Sequence, residues 1–226
     1  MHEVATQTLR IASNEGEFDA YLARPAKQSA AAVVVLHEVF GVNADLRASC
    51  DELAAAGFIA ISPELFWRQQ RSVDLSVRSA ADFDLDAGVR DVEAAVAAAS
   101  QVDGASGRVG VLGFCLGGLL TFLAAARTEV DAAVAFHGGR TEEFLGEADD
   151  IDGPLQMHIA GEDEFMSKAA QRAIVAALSD AQRFEVFTYP GCHHAFSRHG
   201  GEHFDADAAR LSRARTLQFL DQHLNP

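Results

Sequence analysis

Residues 108–126 constrain the fold of this 226-residue chain more than any other stretch. Arg108–Leu112 is short, apolar and β-like, and Leu119–Ala126 is a strong helix former. Between them lies Gly113-Phe114-Cys115-Leu116-Gly117-Gly118. A strand that turns sharply into a helix needs glycine on both sides of the apex. The apex residue takes a strained backbone conformation, and neighbours without a Cβ let the chains come close. Here the apex is Cys115. A helix starting beside it aims free N–H groups and a positive dipole end at the sulfur, which favours thiolate over thiol. A buried structural cysteine in a glycine-rich turn is the plainer reading of the same residues, so the rest of the chain has to decide.

No charged residue lies between Arg108 and Arg127, a run about long enough to cross a bilayer. Glycines interrupt it, β-type residues precede them and helical residues follow, so a buried strand, elbow and helix explain it better than a membrane helix. The start, Met1-His2-Glu3-Val4, lacks a basic segment followed by an apolar block, and no secretory signal is expected. The length suits one α/β domain spanning 1–226 with a sizeable core. An apolar fraction of 49% argues against disorder. The net charge of −15 argues against nucleic acid or anionic lipid as partners. It also means that an anionic substrate would need a local positive pocket. Cys50, Cys115 and Cys192 are odd in number and scattered, which points to a reducing, cytoplasmic setting without a disulfide framework.

Strands and helices alternate along the chain. Strands are expected at Phe18–Ala23, Ala31–Leu36, Phe58–Ser62, Arg108–Leu112, Ala132–Phe136, Leu155–Ala160 and Phe184–Tyr189. The continuous apolar run Ala31–Leu36 reads as a central parallel strand covered on both faces. Helices are expected over Ala44–Ala56, capped by Asn43 and ended by Gly57, and over Asp84–Ser100. Two more are expected over Ser167–Leu178, with Ser167 as cap, and Asp207–Leu224. Glu64–Phe83 reads as an excursion over the sheet edge, and Arg140–Asp152 as irregular and acidic. The pattern implies a mainly parallel central sheet flanked by helices on both faces. Ligands in such sheets bind beyond the carboxyl ends of the strands, and nearly every chemically interesting residue falls in the loops there.

Gly161-Glu162-Asp163-Glu164 follows a strand and places a carboxylate where it can hold a histidine. Gly191-Cys192-His193-His194-Ala195-Phe196 follows the last strand, and a histidine there can reach back to Cys115. Nucleophile, acid and histidine then occur in the α/β-hydrolase order. His194 is preferred over His193 because adjacent side chains in an extended loop point opposite ways, although spacing does not say which faces the thiol. His37-Glu38-Val39-Phe40-Gly41 follows the first central strand, in the loop that lends an oxyanion N–H in this fold. The N–H groups of Val39 and Leu116 are therefore the candidate oxyanion donors. Glu38 is unusual there, since a carboxylate beside the nucleophile discourages thiolate unless it acts on the thiol directly.

His37–Gly41, Gly113–Gly118, Gly161–Asp163 and His194-Ala195-Phe196-Ser197-Arg198, in this order, resemble the dienelactone hydrolase family (carboxymethylenebutenolidases). The resemblance runs from about Ala31 to Phe219. It implies an α/β-hydrolase fold and cleavage of an ester or lactone with Cys115 as nucleophile, His194 as base and Asp163 as orienting acid. Glu38 would help to generate the thiolate when substrate arrives. It also supports His194 over His193. Family members that cleave dienelactone hold its carboxylate with two arginines. Arg198 matches one, and Arg78 or Arg71 is the candidate for the other, neither in clean register. A tyrosine expected at the end of one strand is Phe136, which removes a hydroxyl, and Cys192 replaces a small residue. Arg198, Arg78, Phe40 and Phe136 are the candidate substrate contacts.

Such a reaction needs no cofactor, and a small-molecule ester or lactone is the expected partner of a monomer or small homo-oligomer. Two other readings compete. His37, His137, Cys192, His193, His194 and Cys115 could gather round a metal, but their spacings match no tight zinc pattern, and a metal-bound thiolate could not attack. A thiol-redox or non-catalytic binding role would instead use Cys192 near Cys115.

Overall fold

The computed structural model describes residues 4–26, 29–69, 82–179 and 182–225. Among these residues one sheet of eight strands runs in the order β1-β2-β4-β3-β5-β6-β7-β8. The strands are β1 (Ala5–Ser13), β2 (Gly16–Arg24), β3 (Ala30–Leu36), β4 (Ile59–Pro63), β5 (Ala105–Phe114), β6 (Ala132–Phe136), β7 (Leu155–Ala160) and β8 (Phe184–Tyr189). Pairing is antiparallel from β1 to β2 and from β2 to β4, and parallel from β4 through β8. Five α-helices join them: α1 (Ala44–Ala56), α2 (Leu85–Gln101), α3 (Leu116–Arg127), α4 (Lys168–Leu178) and α5 (Ala206–Leu224). This is the α/β-hydrolase fold expected above.

The two faces of β3 show why its sequence is apolar throughout. Ala32, Val34 and Leu36 pack with α2, α3 and α4, whereas Ala31, Val33 and Val35 pack with α1 and α5. With side chains alternating across a sheet covered on both sides, no position is left for a polar residue. Helix ends follow local chemistry. The Asn43 side chain accepts the Leu46 N–H at 2.9 Å, Asp84 accepts that of Ala87 at 2.9 Å, and Ser167 that of Ala170 at 3.1 Å. Gly57 ends α1 in the left-handed region at φ 104°, where a side chain would be strained.

Two elements differ from expectation. β1 forms a hairpin with β2 that the sequence did not announce, because its outer position leaves Ala5 and the polar Thr6, Gln7 and Thr8 exposed. Thr141–Asp150 is a 3₁₀ segment rather than irregular chain, anchored by buried Thr141 and Ala148. Of the excursion over the sheet edge, residues 70–81 lie outside the described residues. Glu64–Gln69 forms turns whose Leu65 and Phe66 are buried. No helix among the described residues is long and apolar enough to cross a membrane.

Candidate active site

The elbow forms where β5 meets α3. Cys115 sits there at φ 55° and ψ −115°, in the region that side chains rarely adopt. Its N–H donates to the Phe136 carbonyl at 3.1 Å. A Cβ on Gly113 would lie 2.0 Å from the Gly117 carbonyl oxygen, so only glycine lets the strand and the first helical turn meet this closely. Cys115 opens into a pocket of about 520 Å³, lined also by Glu38, Val39, Phe40, Leu116, His194 and Arg198.

The base and the acid arrive on the turns after β8 and β7. His194 Nδ1 lies 2.9 Å from both oxygens of Asp163. The side chains of His194 and Asp163 are buried, and the Phe165 N–H holds Asp163 Oδ1 at 2.9 Å. Since Asp163 takes the Nδ1 proton, Nε2 is the nitrogen turned toward other chemistry. It is buried and has no hydrogen-bond partner among the described residues. Burial disfavours a charged His194, but the hydrogen bond to Asp163 and the nearby Cys115 outweigh it and raise its pKa to about 10. Cys115 and His194 line the same pocket. The turn is not the extended loop assumed from the sequence. Ala195 has φ 58°, His194 faces the pocket, and His193 is exposed with Nδ1 on Glu164.

Glu38 and Arg198 meet across the pocket wall. Arg198 Nη1 donates to Glu38 Oε2 at 3.2 Å, with side-chain exposures of 31% and 11%. The guanidinium also lies over the Phe40 ring, 5.2 Å from its centre. Val39 and Leu116, the candidate oxyanion donors, line the pocket together. One expected substrate contact falls elsewhere. Phe136 is buried, stacks on His158 at 4.2 Å, and lines a separate 300 Å³ pocket with residues of α1 and α5. It lies at the last position of β6, and its side chain packs with residues of α1 and α5. Arg78, like its alternative Arg71, lies outside the described residues. Cys192 is buried with Tyr189 and Phe196 and does not line the pocket, and Cys50 is buried in α1.

Of three neighbours of His194, Phe165 and Glu164 were given no role from the sequence, and His137 entered only as a candidate metal ligand. Phe165 packs edge-on against the His194 ring at 4.8 Å, and Glu164 Oε2 accepts its backbone N–H at 3.2 Å. His137 lies 4.4 Å from it between ring centres. His137 is buried at φ 36°, and neither of its ring nitrogens has a hydrogen-bond partner among the described residues. Burial first, and then His194, push its pKa well below the ordinary histidine value. The only signal for these residues was their position in loops at the carboxyl edge of the sheet. Two groups offer ligand atoms within 4.8 Å of one another, Glu38–His137–His194 and Glu164–His193–His203. A cation in the first would occupy the free nitrogen of His194.

Sheet order, elbow and loop positions define an α/β-hydrolase. The sequence model of the Dienelactone hydrolase family matches residues 18–224, and the chain belongs to that family. A relative from Azospirillum brasilense is 37% identical over 225 residues, covering 94% of this chain and 96% of that one. The carboxymethylenebutenolidase of Pseudomonas putida is 33% identical over 226 residues, covering 95% and 96%. A crystal structure from Klebsiella pneumoniae subsp. pneumoniae superposes with a TM-score of 0.88 at 26% identity, covering 97% of this chain and 99% of that one. The protein is accordingly a hydrolase of ester or lactone bonds.

Proposed function

We propose that the protein hydrolyses a carboxylate-bearing ester or lactone through a thioester on Cys115. The observation that carries this is the arrangement at the pocket. The elbow cysteine and His194 share it, and both oxygens of Asp163 hold the far nitrogen of His194. His194 takes the thiol proton, and the resulting imidazolium, held by Asp163, stabilises the thiolate. The sulfur attacks the carbonyl carbon. The N–H groups of Val39 and Leu116 receive the developing oxyanion, a contribution on the order of 3 kcal/mol per donor. The alkoxide or enolate leaves with a proton from His194. Water then gives its proton to His194 and cleaves the thioester, freeing the acid and the thiol.

The pair between Glu38 and Arg198 supports the substrate class. A substrate carboxylate can compete for the Arg198 guanidinium, which is shaped for bidentate binding. Glu38 would then be released beside Cys115, where it can accept the thiol proton and pass it on to His194, whose side chain is near. The route needs no cofactor. Three unpaired cysteines support a cytoplasmic setting. We read the chain as one catalytic domain, a monomer or small homo-oligomer, with no nucleic-acid or membrane partner.

Cys115→Ala tests the reading. It should abolish turnover of aryl esters and lactones while circular dichroism stays unchanged. Intact-mass spectra of the wild type quenched during turnover should carry an acyl adduct that the variant lacks. Turnover retained in Cys115→Ala would overturn the thioester route.

A further inference from the structure

Beyond the catalytic residues, a second cluster of metal-ligating side chains stands near the pocket mouth. Glu164, His193 and His203 are exposed, come from three separate turns, and each offers a ligand atom within 4.8 Å of the others. Backbone groups orient two of them. His203 Nδ1 lies 3.3 Å from the His194 carbonyl oxygen. A ring nitrogen facing a carbonyl carries the proton, which leaves Nε2 with its lone pair. Hydrogen bonds of this kind fix the tautomer of metal-bound histidines. Glu164 Oε2 accepts the His194 N–H, and Oε1 contacts His193 Nδ1. The rings of His193 and His203 lie 4.9 Å apart. The net charge of −15 adds a general attraction for cations.

We propose that Glu164, His193 and His203 form a binding site for a zinc ion. The ion takes the place of the proton between His193 and Glu164, His203 supplies the third ligand through its free ring nitrogen, and water completes a tetrahedron. Two imidazoles and one carboxylate are a donor set suited to zinc, whereas calcium and magnesium ask for oxygen ligands throughout. Placement gives the site a consequence. Glu164 adjoins Asp163, His193 adjoins His194, and His203 lines the catalytic pocket. A bound ion ties the acid-bearing turn, the base-bearing turn and the pocket rim together. The site is independent of the Glu38–His137–His194 group, in which an ion would compete with the base itself.

The test is a zinc titration of tag-free protein against a chromophoric chelator, with thermal unfolding alongside. One ion per chain is expected. Binding should weaken by at least about tenfold in His203→Ala and in His193→Ala, and persist in His137→Phe and after alkylation of Cys115. Zinc should raise the melting temperature of the wild type but not of His203→Ala. All three ligands are exposed, so these replacements spare the core. Undiminished affinity in His203→Ala, an ion lost in His137→Phe or on alkylation, or no bound ion in the wild type would each overturn the proposal.

Discussion

Replacing Gly117 by alanine should damage both stability and catalysis, although helix propensity argues the other way. On propensity alone, alanine in a helix interior is favoured over glycine by about 1 kcal/mol. Gly117 is the second residue of α3, and a Cβ there would lie 2.3 Å from the Leu36 carbonyl oxygen, 2.6 Å from its carbon and 2.9 Å from the His37 oxygen. Those atoms are backbone and cannot swing aside as a flexible side chain would. Ordinary contact begins near 3.4 Å, so the start of α3 and the end of β3 must separate by roughly 1 Å. Leu36 belongs to a strand paired on both sides, and overpacking of this kind costs about 1–3 kcal/mol. The displacement acts on the two pieces that carry the chemistry, because Cys115 precedes α3 and Val39 follows β3. A 1 Å misplacement of reacting groups costs on the order of 10²-fold in rate. Urea unfolding and aryl-ester turnover measure the two effects. Gly146→Ala is the control, since a Cβ there meets nothing within 4 Å, and it should stay within about 0.5 kcal/mol of the wild type. A Gly117→Ala protein as stable and as active as the parent would refute the close-approach argument.

Asp163→Asn should lower turnover by about 10⁴-fold, because the amide cannot hold the imidazole in its working tautomer or stabilise its charge. A loss below about tenfold in steady-state kinetics would remove Asp163 from the mechanism. Arg198→Ala should impair a carboxylate-bearing substrate much more than its methyl ester, and equal losses on the matched pair would mean that Arg198 does not read the carboxylate. His137→Phe should leave stability at pH 7 little changed. Folded His137 resists protonation whereas the unfolded chain takes up a proton below about pH 6.5, so the wild type loses stability there relative to the variant. The difference should grow by up to about 1.4 kcal/mol per pH unit below 6.5, and parallel urea-derived stability curves from pH 7 to 4 would contradict it.

What the sequence disclosed about the fold follows from whether a signal is local. β3 is apolar at every position because both its faces are covered, and Asn43, Asp84 and Ser167 cap helices through their own side chains. β1 gave no such signal, since an outer strand can carry Thr6, Gln7 and Thr8 in solvent. Alternation along an extended chain would turn Phe196 to the site with His194, yet it is buried against Tyr189 at 4.8 Å. The alternation rule applies to extended chain, and Ala195 at φ 58° breaks it.

The candidate site divides along the same line. Parallel topology collects the loops after β3, β5, β7 and β8 at one edge, so Glu38, Cys115, Asp163 and His194 could be placed near one another from the order of elements alone. Pairings between those loops have no period and no fixed spacing. Glu38 and Arg198 are 160 positions apart. The sequence indicates an arginine able to bind a carboxylate, but not that a carboxylate of the protein already holds it. That contact changes the energetics of recognition. A substrate carboxylate must displace Glu38 rather than meet a free guanidinium, so its net gain is the difference between two charge pairs. The displaced glutamate is left partly desolvated beside the thiol. Arg198 therefore couples binding to activation in the proposed mechanism, and a neutral ester, which gives Glu38 no reason to leave, should turn over without that help.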